Sequence, residues 1–176
     1  ELNNENVYTV ISLFLDCCYQ GDYTTDKDTL SGNVDIVSVE FSGEFEAAEG
    51  DGLVWTTTAA NLSLNGKVIT LNDLMDGAWQ NVSASLTLSS GGKISIPVAN
   101  NTNAIAKFKL SVMYDNDDGK WSDLEGNGTT VCWLEIPQGE TWNMELTVSA
   151  ADAPRVAHIM LMVCCWEKDG MQADGT

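Results

Sequence analysis

Five cysteines are the residues of this chain with the most evident chemistry. Two vicinal pairs, Cys17-Cys18 and Cys164-Cys165, lie near the two ends of the sequence, and Cys132 lies between them. Neighbouring residues of a strand face opposite ways, so one member of each pair can point inward and the other outward. In an exported protein such thiols oxidise, and an odd number leaves one over or pairs thiols between subunits. We therefore predict structural or intersubunit disulfides, with buried thiols or a zinc site as the alternatives.

An acidic loop follows Tyr114 and suggests a cation-binding site. If Gly119 took the sixth position of an EF-hand, Asn116, Asp118 and Glu125 would fall on ligand positions, but Tyr114 would stand where the first carboxylate is needed. The loop is therefore no EF-hand. We predict no cofactor, with a looser calcium site in this loop as the alternative to a solvated turn. Its candidate ligands are Asp115, Asp117, Asp118 and Glu125.

Catalytic motifs are missing from the sequence. His158 is the only histidine, so a serine or cysteine triad would need it, yet it begins the apolar run with Ile159 and Met160. There is no H-E-x-x-H, glycine-rich phosphate loop or G-x-S-x-G motif. Nothing selects a pair of glycosidase carboxylates from the many acidic residues. We predict that the protein is not an enzyme.

Six tryptophans offer indole rings that could stack on a sugar. Trp142 is in phase with Met144 and Leu146, which predicts a core position. Trp133 is out of phase with its apolar neighbours, which predicts that it faces the other way. Trp121 falls in the acidic loop.

The backbone that must hold these residues is predicted to be all-β. Apolar and polar residues alternate with period two in segment after segment, for example from Val82 to Leu88, and only a half-buried strand separates them onto two faces. The apolar run from Ile159 to Trp166 predicts a central strand buried on both faces. About nine to ten strands without intervening helices predict an antiparallel two-sheet sandwich or jelly roll.

Local signals predict the connections. The apolar phase changes between Ile36 and Val37, which indicates a bulge. Asn65-Gly66 predicts a hairpin with a type I′ turn. Residues 89–92 predict a second hairpin, and residues 71–80 predict a helical turn or a loop.

The N-terminal segment is apolar on both faces and cannot stay exposed, because it would template aggregation. We divide the chain into an N-terminal strand and tether, 1–31, and a sandwich domain, 32–176. We predict that residues 7–15 form a donor strand that inserts into a neighbouring subunit, the alternative being an ordinary first strand. The assembly residues are Val7, Tyr8, Val10, Ile11, Leu13, Phe14 and Leu15.

Charge narrows the partners. Eight basic and 26 acidic residues give a formal charge of −18, which repels nucleic acid and anionic membranes. The longest apolar run is too short to span a bilayer as a helix. Four N-x-Ser/Thr sequons, at Asn61, Asn81, Asn100 and Asn127, are compatible with glycosylation. We predict an extracellular or cell-surface protein without nucleic-acid partner or membrane span.

Three motifs resemble a known family. They are ISIPVANNTNAIAKFKL, the turn PQGETW before the strand MELTV, and the closing run HIMLMVCCW. Together they resemble the C-terminal part of the TasA and camelysin type of fibre subunit. The resemblance implies a secreted jelly-roll protein that polymerises, with each N-terminal strand completing the next subunit's sheet. The vicinal cysteines depart from that family and resemble spore-appendage subunits cross-linked through an N-terminal Cys-Cys.

Two functions follow as expectations. The first is a structural subunit of an extracellular filament or surface appendage, a homopolymer assembled through its N-terminal strand and cross-linked by disulfides. The alternative is a monomeric adhesin or carbohydrate-binding module that uses exposed tryptophans and the acidic loop, residues 115–125.

Overall fold

The computed structural model describes residues 29–43, 52–75 and 79–165 and shows the predicted all-β sandwich of two antiparallel sheets. A single 3-10 turn, Ala153–Arg155, is the helical element named among the described residues. The eleven strands are β1 (Thr29–Ile36), β2 (Glu40–Gly43), β3 (Leu62–Asn65), β4 (Val68–Met75), β5 (Trp79–Ser85), β6 (Gly92–Thr102), β7 (Ala106–Asp115), β8 (Trp121–Asp123), β9 (Cys132–Ile136), β10 (Thr141–Val148) and β11 (His158–Cys165).

The strands divide into two sheets, which we call sheet A and sheet B. Sheet A has the order β10-β6-β1-β4-β3, and β2 continues beyond β1 along the same edge of β6. Sheet B has the order β5-β11-β7-β8. β9 also pairs with β7, along the same edge as β8 but at the other end of the strand. The chain crosses from sheet A to sheet B between β6 and β7, and back again between β9 and β10.

The predicted bulge is confirmed. β1 pairs Ile36 with Val98, whereas β2 pairs Glu40 with Ser95, so the register along β6 shifts by one residue between the two strands. Pro97 lies at the shift, and its carbonyl accepts the Val37 N–H at 3.0 Å. Because proline has no N–H to donate to the ladder, a bulge opposite it costs little.

The first predicted hairpin is present, but the predicted turn type is wrong. β3 and β4 pair from Asn65 and Val68 outward, which leaves Gly66 and Lys67 as the loop. Gly66 has a φ of 62°, and Lys67 is not among the residues with positive φ. A positive φ at the first loop position alone fits a type II′ turn, because type I′ needs it at both.

The second predicted hairpin is wrong. β5 pairs with β11, and β6 lies in the other sheet, so residues 86–91 cross between the sheets. Leu86 and Leu88 are both buried in this crossing. The predicted helical turn at 71–80 is also wrong, because β4 continues to Met75 and β5 begins at Trp79. Alternation in the sequence predicts which face of the sheet a residue takes, but it does not identify the strand that pairs with it.

β11 is buried on both faces, as its sequence predicts. Its inward residues pack with β7, where Phe108 pairs with Val163 and both are buried. Its outward residues Met160 and Cys164 are only 7% and 2% exposed. Lying between β5 and β7, β11 is the central strand of sheet B.

The predicted boundary between tether and domain differs from the structure. β1 begins at Thr29, and Leu30 is fully buried opposite Leu74. Residues 29–31, which the sequence assigned to the tether, therefore belong to sheet A. The assembly residues between Val7 and Leu15 lie outside the described residues.

Asn100 links two of the connections between the sheets, the one from β6 to β7 and the one from β9 to β10. Its Nδ2 donates to the carbonyls of Ala104, at 2.9 Å, and Ile136, at 2.7 Å, while its Oδ1 accepts from the N–H of Thr102 at 3.1 Å. The side chain is fully buried. Such a buried and satisfied amide cannot carry an oligosaccharide in this fold, so the predicted sequon at Asn100 is a structural asparagine instead.

We expect Asn100→Ala to lower the free energy of unfolding by about 3 kcal/mol, because it leaves buried carbonyls without a donor. Urea denaturation measures the change. The matched control is Asn101→Ala, which removes one bond between an exposed amide and Asp35 and should cost less than about 1 kcal/mol. Equal losses in the two variants would contradict the assigned role.

Candidate functional site

The outer face of sheet B carries a layer of large side chains. The residues of β7 that face the core are Phe108, Leu110 and Val112, so those between them face outward. The cross-strand pairs place the outward residues of β5, β11 and β9 beside them. We call the large side chains of this face the outer layer, and the polar residues Asn81, Ser83, Ser111 and Glu135 lie among them on the same face. The outer layer consists of Trp79, Lys107, Lys109, Trp133, Met160, Met162 and Cys164.

Trp133 is the best-supported ring of the outer layer. Its indole meets that of Trp79 edge to face, with 5.5 Å between the ring centroids. The ammonium groups of Lys107 and Lys109 lie 5.5 and 5.2 Å from its centroid, and Lys109 also forms an ion pair with Asp123. These T-shaped and cation–π contacts fix the orientation of an indole that is still 50% exposed.

Beside Trp133 lies a groove of about 600 Å³ between β9 of sheet B and β10 of sheet A. We call it the tryptophan groove. It has indoles from both sheets, one leucine, and one charge of each sign. The lining residues are Lys107, Trp133, Leu134, Glu135 and Trp142.

Backbone contacts connect the neighbouring segments beyond both ends of the tryptophan groove. At one end residues 137–140 connect β9 to β10, and the N–H of Gly139 donates to the Asn100 carbonyl at 2.7 Å. At the other end the N–H of Thr130 donates to the carbonyl of Thr147 at 2.9 Å, and the N–H of Thr147 donates to Thr130 Oγ1. The two strands separate only between these points.

The position of Trp142 differs from the one that its phase with Met144 and Leu146 predicts. Its predicted core position is wrong, because the side chain is 40% exposed whereas Met144 and Leu146 are buried. Trp142 shares their face of β10 but lies nearer the end of the sandwich, where it lines the groove and donates its Nε1–H to Glu140. The outward position predicted for Trp133 is confirmed.

The acidic loop lies far from the tryptophan groove. On β7, Lys107 pairs with Glu135 at one end and Asp115 pairs with Trp121 at the other. These positions are eight residues apart, which is about 27 Å along a strand. The groove tryptophans and the acidic loop therefore cannot share one site, whereas Trp121 lies in the loop itself and is 43% exposed, so the adhesin alternative stays a prediction.

The carboxylates of the acidic loop have separate partners. Asp118 accepts the N–H of Lys120 and lies 3.1 Å from its Nζ. Asp115 lies 2.9 Å from Nε2 of His158, whose ring stacks on Trp121 at 3.8 Å. Within the described ranges, no three acidic, histidine or cysteine side chains converge as metal ligands.

We expect a chelator such as EDTA to shift the melting temperature by less than about 2 °C, because the described carboxylates do not converge on a metal site. A bound calcium ion would stabilise the folded state by mass action, and its removal would then cause a larger shift. Thermal unfolding with and without added calcium measures this. A larger shift that disappears in the double variant Asp117→Asn, Asp118→Asn would establish a calcium site.

The cysteines of sheet B lie on opposite faces. Cys132 shares the inward face of β9 with Ile136, whereas Cys164 belongs to the outer layer, so the two cannot pair with each other. Both are thiols in the structure. Burial raises the pKa of the Cys132 thiol, which lowers its reactivity. Cys17, Cys18 and the side chain of Cys165 lie outside the described residues.

We expect alkylation of native material without reductant, followed by mass spectrometry, to find Cys132 and Cys164 as thiols and at least one disulfide among Cys17, Cys18 and Cys165. Vicinal pairs in an exported protein would otherwise oxidise. Unfolding before alkylation controls for slow access to the half-buried Cys132 and the buried Cys164. Five alkylated thiols would contradict the predicted disulfide.

The remaining sequons are placed differently. Asn127 is exposed in a turn with φ of 51°, and Asn61 is half-buried beside β3. Asn81 faces outward on β5, where Val82 faces the core. These three positions stay candidates for glycosylation.

Comparison of the chain with protein-family models, curated proteins and solved structures finds no match. The resemblance to TasA and camelysin subunits therefore stays a prediction. In the part of the chain that the structure describes, no helix has the length and apolar character needed to cross a membrane.

Proposed function

We propose that this protein is a structural subunit of an extracellular filament, in which residues 7–15 of one subunit add a strand to sheet B of the next. The observation that supports this proposal is that β11, the central strand of sheet B, carries apolar side chains toward both faces: Met160, Met162 and Cys164 face outward and Ile159, Leu161 and Val163 face the core. A donor strand that is apolar on both faces suits a sheet that already covers such a strand, and the described strands of sheet A alternate with polar outward residues instead.

β11 shows what sheet B accepts. After His158 its sequence, IMLMVCC, is apolar, and Ile159, Leu161 and Val163 are buried against the core while Met160 and Cys164 are buried within the outer layer. Residues 7–15, VYTVISLFL, have the same character. Strands buried on both faces are continuous apolar runs, whereas strands with one solvated face alternate.

The outer face of sheet A is polar instead. Thr70 donates to Asn33 at 3.0 Å, Ser95 donates to Asn143 at 2.8 Å, and Asn101 donates to Asp35 at 3.0 Å. A strand such as 7–15 added to sheet A would place leucine or phenylalanine beside these polar pairs. Sheet B is therefore the acceptor that matches the segment.

We propose the edge of β5 as the acceptor in sheet B, where an added strand would displace Thr56, which pairs with Ser83, and Thr57, whose Oγ1 donates to the Asn81 carbonyl at 2.7 Å. Ser83 exchanges main-chain hydrogen bonds with Thr56 at 2.8 and 2.9 Å, so its N–H and carbonyl point away from β11. Two residues earlier, the N–H of Asn81 points the same way, and no described residue accepts it. The opposite edge, at β9, faces β10 of sheet A across the tryptophan groove and is joined to it by residues 137–140.

We expect deletion of residues 1–19 to give a folded monomer that no longer polymerises and that binds a synthetic peptide of residues 7–15. Loss of an ordinary first strand would instead unfold the domain. Size-exclusion chromatography, negative-stain imaging and circular dichroism separate the outcomes. Filaments that persist after the deletion would contradict the proposal.

We also expect Asn81→Pro to abolish polymerisation of the full chain, because proline removes the N–H that the added strand would use while leaving the bonds to β11 intact. Asn143→Pro is the matched control: it removes an outward N–H from β10, the edge of sheet A, and should polymerise normally. Ser83→Ala controls for loss of the Asn81 sequon. If Asn143→Pro prevented polymerisation and Asn81→Pro did not, the acceptor edge would lie in sheet A and the proposal for sheet B would be contradicted.

A further inference from the structure

We propose that the tryptophan groove binds a neutral sugar unit of a glycan, independently of whether the protein polymerises. The groove is the place among the described residues where indoles from two sheets converge on one concave surface. The class of ligand follows from its aromatic walls, its charges and its size.

The aromatic walls are pre-organised. Trp133 comes from β9 and is 50% exposed, and Trp142 comes from β10 and is 40% exposed. Each indole is held by contacts of its own, the first by Trp79 and two lysines, the second by its Nε1–H bond to Glu140. Rings held before binding lose little conformational entropy when a flat apolar surface, such as the C–H face of a pyranose, stacks on them.

The charges of the groove favour a neutral ligand. Lys107 and Glu135 lie directly opposite each other on β7 and β9, so the rim offers a donor and an acceptor of opposite sign. An anionic sugar would gain from the lysine but meet both Glu135 and the field of a protein with net charge −18.

The size of the groove favours a short ligand. The turn at 137–140 and the hydrogen bonds between Thr130 and Thr147 lie beyond its two ends. Its volume of about 600 Å³ falls within the range of about 300–1,000 Å³ that small-molecule sites occupy. An extended peptide strand needs a longer opening, whereas a terminal sugar fits within these limits.

The test is binding of the full chain to a defined panel, measured by calorimetry and by intrinsic tryptophan fluorescence. The panel contains neutral oligosaccharides of glucose, galactose, mannose and N-acetylglucosamine, the same sizes with uronic or sialic acid, and a proline-rich peptide. We expect at least one neutral oligosaccharide to bind. Binding of none of them, or tighter binding of an anionic glycan or of the peptide, would overturn the proposal.

Variants locate the site. We expect Trp142→Ala and Trp133→Ala each to weaken binding about tenfold or more, as loss of an aromatic stacking partner does. Trp121→Ala is the matched control, because that indole is 43% exposed at the far end of β7, and it should bind like the parent protein. Circular dichroism confirms that each variant is folded. Affinity that is unchanged in both groove variants, or lost in Trp121→Ala, would place the sugar elsewhere.

We expect sugar binding to be independent of polymerisation. The same measurements on Asn81→Pro, whose substitution lies at the β5 edge away from the groove, should give the affinity of the parent protein. Failure of the filament proposal would leave sugar binding in place, and failure of sugar binding would leave polymerisation in place.

Discussion

The burial of β11 on both faces is the constraint on which the rest of this structure depends. A strand with the sequence HIMLMVCC has no polar face to give to water. One side is covered by the inner face of sheet A, as in any sandwich. The other side needs large side chains from β5, β7 and β9, and these form the outer layer. The long stems of Lys107 and Lys109 serve this purpose well, since lysine can cover apolar surface while its ammonium group stays solvated.

The same constraint explains why the tryptophans lie where they do. Trp79 and Trp133 belong to the outer layer and meet above sheet B. Because Trp133 stands on β9, the last strand on that side, its outer part also forms a wall of the tryptophan groove. The covering of β11 and the shape of the candidate binding site thus share a single indole, and a change in either affects both.

Alternation in the sequence was sufficient for the fold class, for the burial of β11 and for the bulge at Ile36 and Val37, because these depend on which face each residue takes. It was insufficient for the partner of β5, since the same pattern suits a hairpin and a crossing between sheets. Trp142 was misplaced because phase does not show where the core ends. Asn100 was misread because a sequon is a local motif, whereas its burial depends on contacts with Ala104, before β7, and with Ile136 of β9.

The tryptophan groove was missed for a related reason. Its two indoles stand on strands of different sheets, and no spacing rule places one sheet edge against another. A signal was nevertheless present: Trp133 and Trp142 flank the short turn PQGE, so whatever sheets they joined, the two rings had to emerge close together.

The position of β1 has a mechanical consequence. The chain enters β1 at Thr29, and β1 lies in the middle of sheet A with β4 on one side and β6 on the other. A pull on the preceding segment acts along the axis of β1, perpendicular to the hydrogen bonds of both ladders. Those bonds are then loaded in shear and share the force, instead of opening one after another like a zip. The anchorage of the N-terminal segment therefore resists tension as a unit.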